Sequence, residues 1–141
     1  MSDAVRLVEI RDVDLDQAAI TAVVQDPAAG GFAVYVGTVR DNDNDKNVTG
    51  LQYSAHPSAE AKMREICERI ATQHDVIRVA AVHRVGDLPI GGVAVVVAVS
   101  TGHRGEAFAA CKDLIDTLKA ETPIWKHQIF ADGSTEWVGT P

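Results

Sequence analysis

Two apolar stretches in the middle of the chain, VIRVAAVHRVG (76–86) and GVAVVVAVS (92–100), constrain the fold more than any other feature. Both are rich in β-branched residues and read as buried strands. The short DLPIG segment between them makes them, most simply, a hairpin. Further strands are predicted at VRLVEI (5–10), FAVYVGTVR (32–40, mostly buried), VTGLQYSA (48–55) and IWKHQIFA (124–131), with TEWVG as a short tail. Helices interrupt the series. LDQAAITAVVQD is one, capped by Asp14 and stopped by Pro27 and the Gly30–Gly31 pair. PSAEAKMREICERIATQH is a second, with Ala59, Met63, Ile66 and Ile70 in one stripe. The third runs from about Gly105 to Lys119, with Ala107, Phe108, Cys111, Leu114, Ile115 and Leu118 on one face. Such an order predicts an α+β fold with a mainly antiparallel sheet and helices packed on it; a doubly wound parallel sheet fits less well.

The 141 residues fit a single domain, 1–141. A net charge of −7 argues against general nucleic-acid binding but leaves room for a small basic pocket. With no apolar run of about 18 residues and no secretory pattern in MSDAVRLVEI, the chain is expected in the cytoplasm. Cys67 and Cys111 then read as reduced, buried thiols. DNDNDKN (41–47) reads as a mobile polar loop. His56, His74 and the scattered acids lack metal-ligand spacing, and there is no phosphate-cradling glycine loop or nucleophile-elbow serine.

The chemistry concentrates near the C-terminus, in LKAETPIWKHQIF (118–130). Lys119 falls on the border of the apolar stripe of the last helix, where its stem packs while its amine reaches a pocket at the sheet. Read alone, it is a last-turn lysine favoured by the helix dipole. Lys126 lies on the following strand, on one face with Ile124, Gln128 and Phe130; alone, it reads as a solvated strand lysine. Pro123 makes the junction a corner that folds the strand back beside the helix end, bringing the two amines toward one cavity. Paired, partly buried ammonium groups lower each other's pKa, which suits a base or nucleophile near neutral pH. A second element is STGHRGEAF (100–108), where His103 and Arg104 stand at a helix start, attractive to anions. The third is VGTVR (36–40), with Gly37 permitting close approach inside a strand and Arg40 at its end. His83 and Arg84, within a strand, read as structural.

Taken in order, FAVYVGTVRD, the run from VAAVHRVG through STGHRGEAF to LKAETPIWK, and DGSTEWVG resemble the large, catalytic subunit of molybdopterin synthase, from about Phe32 to Gly139. The resemblance implies an α/β hammerhead-type α+β fold and a sulfurtransferase of molybdenum cofactor biosynthesis. It implies a homodimer whose ends each receive a small ubiquitin-like sulfur-carrier subunit, giving a heterotetramer. The carrier's C-terminal thiocarboxylate enters the pocket, and two sulfurs pass to cyclic pyranopterin monophosphate to form the dithiolene. Carried over, Lys119 is the principal catalytic residue and Lys126 its companion. Arg40, His103 and Arg104 bind the pterin phosphate or nearby anionic groups, and Thr38, Val39, His127 and Gln128 extend the substrate-binding set. No cofactor or metal is implied for this step.

One departure is visible. Many family members carry a basic residue and an acid after the Trp-Lys pair, whereas His127 and Gln128 follow Lys126 here. Alternation puts His127 on the opposite face, and Gln128 cannot serve as a charged partner. Two other readings fit the residues without the resemblance. One is a small phosphate-ester or acyl-phosphate hydrolase built around Arg40. The other is a regulatory domain using the His103–Arg104 anion site, with Lys119 dispensable.

Overall fold

A computed structural model of the chain describes residues 3–139. The ends of the predicted domain, residues 1–2 and 140–141, lie outside the described residues. In order, the elements are β1 (Val5–Arg11), α1 (Gln17–Ala22), β2 (Gly31–Thr38), β3 (Asn42–Asp43), β4 (Lys46–Ala55), α2 (Ala59–Gln73), β5 (Val76–Arg84), β6 (Gly86–Leu88), β7 (Val93–Thr101), α3 (Arg104–Glu121), β8 (Ile124–Phe130) and β9 (Thr135–Gly139).

The apolar run of β7 is continuous because both faces of its sheet are covered. That sheet has the order β1-β5-β7-β2, with β1 parallel to β5 and the other pairs antiparallel. Val95, Val97 and Val99 face α2 and α3 and pack with Met63, Ile66, Ile70, Leu114 and Leu118. Val96 and Ala98 point the other way and pack with Ile20 and Val24 of the α1 region. Period-2 alternation in a strand apolar on both sides yields two cores from one sheet.

A second sheet runs β3-β4-β8-β9, with β6 paired to β4. The expected hairpin is therefore more elaborate: β5 and β7 are antiparallel neighbours, but the chain between them leaves the first sheet and pairs Leu88 with Leu51 of β4. Val39, Leu51, Leu88 and Ala94 fill the seam between the sheets. Burying Leu88 there is what draws the connection across.

Several expectations need correction. The α1 cap is Asp16, whose carboxylate accepts from the Ala19 N–H at 3.1 Å. Asp14 is instead bonded at 2.7 Å to the Arg84 guanidinium. DNDNDKN is an ordered hairpin, with Asn44 and Asp45 at φ 51° and 65°, the backbone of a two-residue turn. FAVYVGTVR is not mostly buried, since β2 is the sheet's edge strand and Phe32, Val34 and Tyr35 are 47%, 37% and 39% exposed. Phe108, at the margin of the α3 stripe, is 69% exposed; the other five stripe residues are buried as expected. The TEWVG tail is a strand, β9, paired along β8.

α2 and α3 are clamped at the end that matters for function. Arg69 forks onto both carboxylate oxygens of Glu121, at 2.8 and 2.9 Å, and Lys62 reaches the same group at 3.4 Å. The clamp fixes the last turn of α3, from which Lys119 projects.

Candidate active site

α3 stops at Glu121 because a proline stands two residues further on. Pro123 disfavours helical backbone in the preceding residue, and Thr122 is extended at φ −80°, ψ 128°. Its N–H closes the last turn onto the Leu118 carbonyl at 3.0 Å. The Pro123 carbonyl accepts from the His56 N–H at 3.0 Å, and β8 begins one residue later. This two-residue corner returns the chain alongside β4, with Lys126 opposite Tyr53.

Lys119 and Lys126 line one cavity of about 280 Å³, a size suited to a small molecule. Tyr35 and Thr38 of β2, Tyr53 of β4, His83 of β5 and Thr122 also line it, over an apolar floor that includes Met63, Ile115 and Leu118. Burial holds the Lys126 ammonium below the usual lysine range. The Asp43 and Glu136 carboxylates oppose that shift, and the Lys119 and Arg40 charges reinforce it. Burial also raises the Tyr53 phenol, with Tyr35 adding to the effect.

Two glycines shape this region. A Cβ on Gly37 would lie 2.7 Å from Val95 Cγ1, so the side-chain space there is already used by packing. Gly139 has φ +138°, and a Cβ there would lie 2.6 Å from the Ile124 carbonyl oxygen; only glycine lets β9 close against the start of β8 at the cavity edge.

The remaining predicted residues fall in different places. Arg40, just past β2, has a 76% exposed side chain 3.7 Å from Asp43, close enough to the cavity for its charge to act on Lys126. Val39 is buried in the seam, with its backbone N–H and carbonyl bonded to Gly92 and Gly91. Gln128 is buried and donates to Asp43 at 2.8 Å. It thereby orients the carboxylate that faces Arg40. His127 lies on the other face of β8, stacked on Trp137 with centroids 4.3 Å apart. His103 and Arg104 are exposed at the start of α3, roughly 22 Å along the helix axis from Lys119. One chain does not bring them to the lysine cavity. Conversely, His83, Tyr35, Tyr53 and Thr122 line that cavity although the sequence pattern does not mark them for it. Only Thr122 carries a signal, as a hydroxyl residue placed between the two lysines at the corner.

A dilysine cavity at the junction of two sheets, in an α+β fold, is a setting chemically suited to small anionic ligands. A family model described as MoaE protein matches residues 10–121. The molybdopterin synthase catalytic subunit 1 of Mycobacterium tuberculosis is 40% identical over 131 residues, covering 92% of this chain and 88% of that protein. The molybdopterin synthase catalytic subunit of Homo sapiens is 39% identical over 121 residues, 85% of this chain and 64% of that one. Among solved structures, molybdopterin synthase from Staphylococcus aureus superposes with a TM-score of 0.88 at 30% identity, covering 94% of this chain and 97% of that one. The chain belongs to the MoaE protein family, the catalytic subunits of molybdopterin synthase, which transfer sulfur in molybdenum cofactor biosynthesis.

Proposed function

We propose that this chain, as one large-subunit domain, transfers two sulfurs from the C-terminal thiocarboxylate of a small ubiquitin-like carrier to cyclic pyranopterin monophosphate, forming the molybdopterin dithiolene. The observation that carries the reading is the shared cavity of Lys119 and Lys126 in a member of this family. Both reactants are anionic and the protein carries a net charge of −7, so a local cationic site is needed to bring them together. Lys119 is the catalytic residue, stabilising charge and moving protons as sulfur attacks the pterin and its ring opens. Lys126, with its lowered pKa, assists by charge and positioning. Thr38 contacts substrate from the cavity wall. Arg40 takes the phosphate at the rim, backed by the Gln128–Asp43 pair.

His103 and Arg104 enter the site from a second copy of the chain. This placement is supported by their distance from Lys119 within one chain and by the apolar groups around the β2 edge beside them, where Phe32 pairs with Ser100. The working assembly is a homodimer with one carrier per protomer. Among the described residues no helix is long and apolar enough to cross a membrane. The two cysteines are free and buried, which suits a reducing cytoplasm.

The test is reconstitution: the purified chain, thiocarboxylated carrier and cyclic pterin, with dithiolene product measured. Lys119→Ala is expected to lose at least about two orders of magnitude in rate while retaining carrier and pterin binding. Lys119→Arg keeps the charge and changes pKa and shape. Near wild-type rates in the arginine variant reduce Lys119 to an electrostatic role, and near wild-type rates in both remove it from the chemistry.

A further inference from the structure

We propose that His83 and Thr122 form an uncharged, hydrogen-bonding side of the cavity that holds the N–H-bearing heterocycle of the substrate, while the lysines take its anionic groups. The inference rests on the sulfur-transfer reading above and assigns a recognition role to two residues outside its catalytic set.

His83 is held in one orientation and one tautomer. Its ring meets Tyr53 edge-on, with centroids 4.9 Å apart and planes at 78°. Nδ1 lies 2.7 Å from the Arg84 carbonyl oxygen. That oxygen only accepts, so Nδ1 carries the proton and Nε2 keeps a lone pair. Burial lowers the imidazole pKa to about 4; the bond to Arg84 opposes the shift and the Lys119 charge adds to it. Around the cavity, Lys119 and Lys126 present ammonium groups and Tyr35 and Tyr53 phenols. In neutral solution His83 is therefore an uncharged acceptor in a cavity whose charged groups are donors.

Thr122 supplies the second, independent observation. It is 5% exposed and lines the cavity, yet its Oγ1 has no hydrogen-bond partner among the described residues. Buried hydroxyls in folded proteins are bonded, and an orphan at a ligand cavity is explained when the ligand completes it. The hydroxyl both donates and accepts, whereas lysine ammonium groups only donate. A pterin presents ring and exocyclic N–H groups that no lysine can satisfy. His83 Nε2 and Thr122 Oγ1 offer the acceptors, beside the ammonium groups that phosphate and thiocarboxylate require.

The experiment measures binding of cyclic pyranopterin monophosphate by calorimetry, and kcat and KM in the reconstituted reaction. The proteins are wild type, Thr122→Val, Thr122→Ser and His83→Phe. Thr122→Val keeps the shape of the side chain and removes the hydroxyl. It is expected to weaken pterin binding and raise pterin KM about tenfold, the upper end of what one net hydrogen bond contributes. Carrier affinity should be unchanged, and Thr122→Ser should restore binding. His83→Phe keeps the aromatic packing on Tyr53 and should behave like the valine variant. Pterin affinity within twofold of wild type in folded Thr122→Val overturns the proposal, whether or not His83→Phe folds. If the wild-type chain neither binds the pterin nor makes dithiolene, the sulfur-transfer reading fails and takes this inference with it. Normal turnover with unaffected variants removes the inference alone.

Discussion

Gln128 and Lys126 share a face of β8, two residues apart, yet one is sealed and bonded to Asp43 while the other reaches the cavity. The amide thus does a carboxylate-orienting job without adding charge beside Lys126. His83 shows the same dependence of chemistry on surroundings, and its consequence is measurable. Its pKa is about 4 in the folded chain against an ordinary value of 6.5. Between those values the unfolded chain binds more protons, so stability rises with pH there; the contribution is full above about 6.5 and is lost as pH falls toward 4. From pH 7.5 to pH 5 the wild type is expected to lose about 2 kcal/mol through this group. Glu121, lowered to about 2 by the bond to Arg69, keeps its contribution over that range and loses it only at more acidic pH. Urea unfolding of wild type and His83→Phe at the two pH values separates the cases. A flatter pH dependence in the variant supports the assignment, and parallel losses contradict it.

At the scale of elements, α1 shows how closely a short helix depends on one residue. It has six residues, too few to persist without packing and a cap, and its Ile20 anchors the second core. Asp16→Ala removes the cap and is expected to lower stability by about 1 kcal/mol. Asp14→Ala, which removes only the ion pair from an exposed carboxylate to Arg84, should cost less. Chemical denaturation of the two variants decides between the caps, and a larger loss in Asp14→Ala would reverse the assignment. The elements around α1 were legible wherever periodicity was strong: the β5 and β7 strands, the α2 stripe, the α3 stripe apart from Phe108, and the Pro123 corner. The extra β6 pairing was not, because Leu88 sits in a segment too short to carry a period and is drawn across by the seam. Nor was the exposure of β2, since aromatic and β-branched residues mark a strand without saying whether another strand covers its edge. In the site, the lysine pair followed from the corner. The neutral wall did not, because His83 and Thr122 reach the cavity from different elements, through long-range contacts invisible to local spacing.

For the whole molecule, the governing question of geometry is whether His103 and Arg104 reach a Lys119 cavity, since one chain holds them apart. They and Lys119 sit at opposite ends of the 18-residue α3, whose apolar face packs into the core against the sheet. β2 pairs only with β7 among the described residues. Phe32 and Val34 lie exposed on one side of this edge strand, and Tyr35 is exposed on the other, the side of the sheet that α3 covers. An uncovered apolar edge of this kind is a natural seat for a second copy. Because Gly31 and Phe32 pair with Thr101 and Ser100, the same edge leads directly to His103. A dimer through this edge places each His103–Arg104 pair at the boundary with its neighbour. Complementation tests the arrangement. Lys119→Ala and Arg104→Ala chains, co-expressed with different tags and isolated as the hybrid dimer, have one site carrying both defects and one carrying neither if the site is shared. The hybrid should then recover about half of the wild-type rate, although each parent is impaired, because a two-fold dimer has two sites. If each chain holds a complete site, both sites of the hybrid carry one defect, and its rate cannot exceed the mean of the two parents. A monomer by light scattering at micromolar concentration, with and without carrier, would remove the dimer itself.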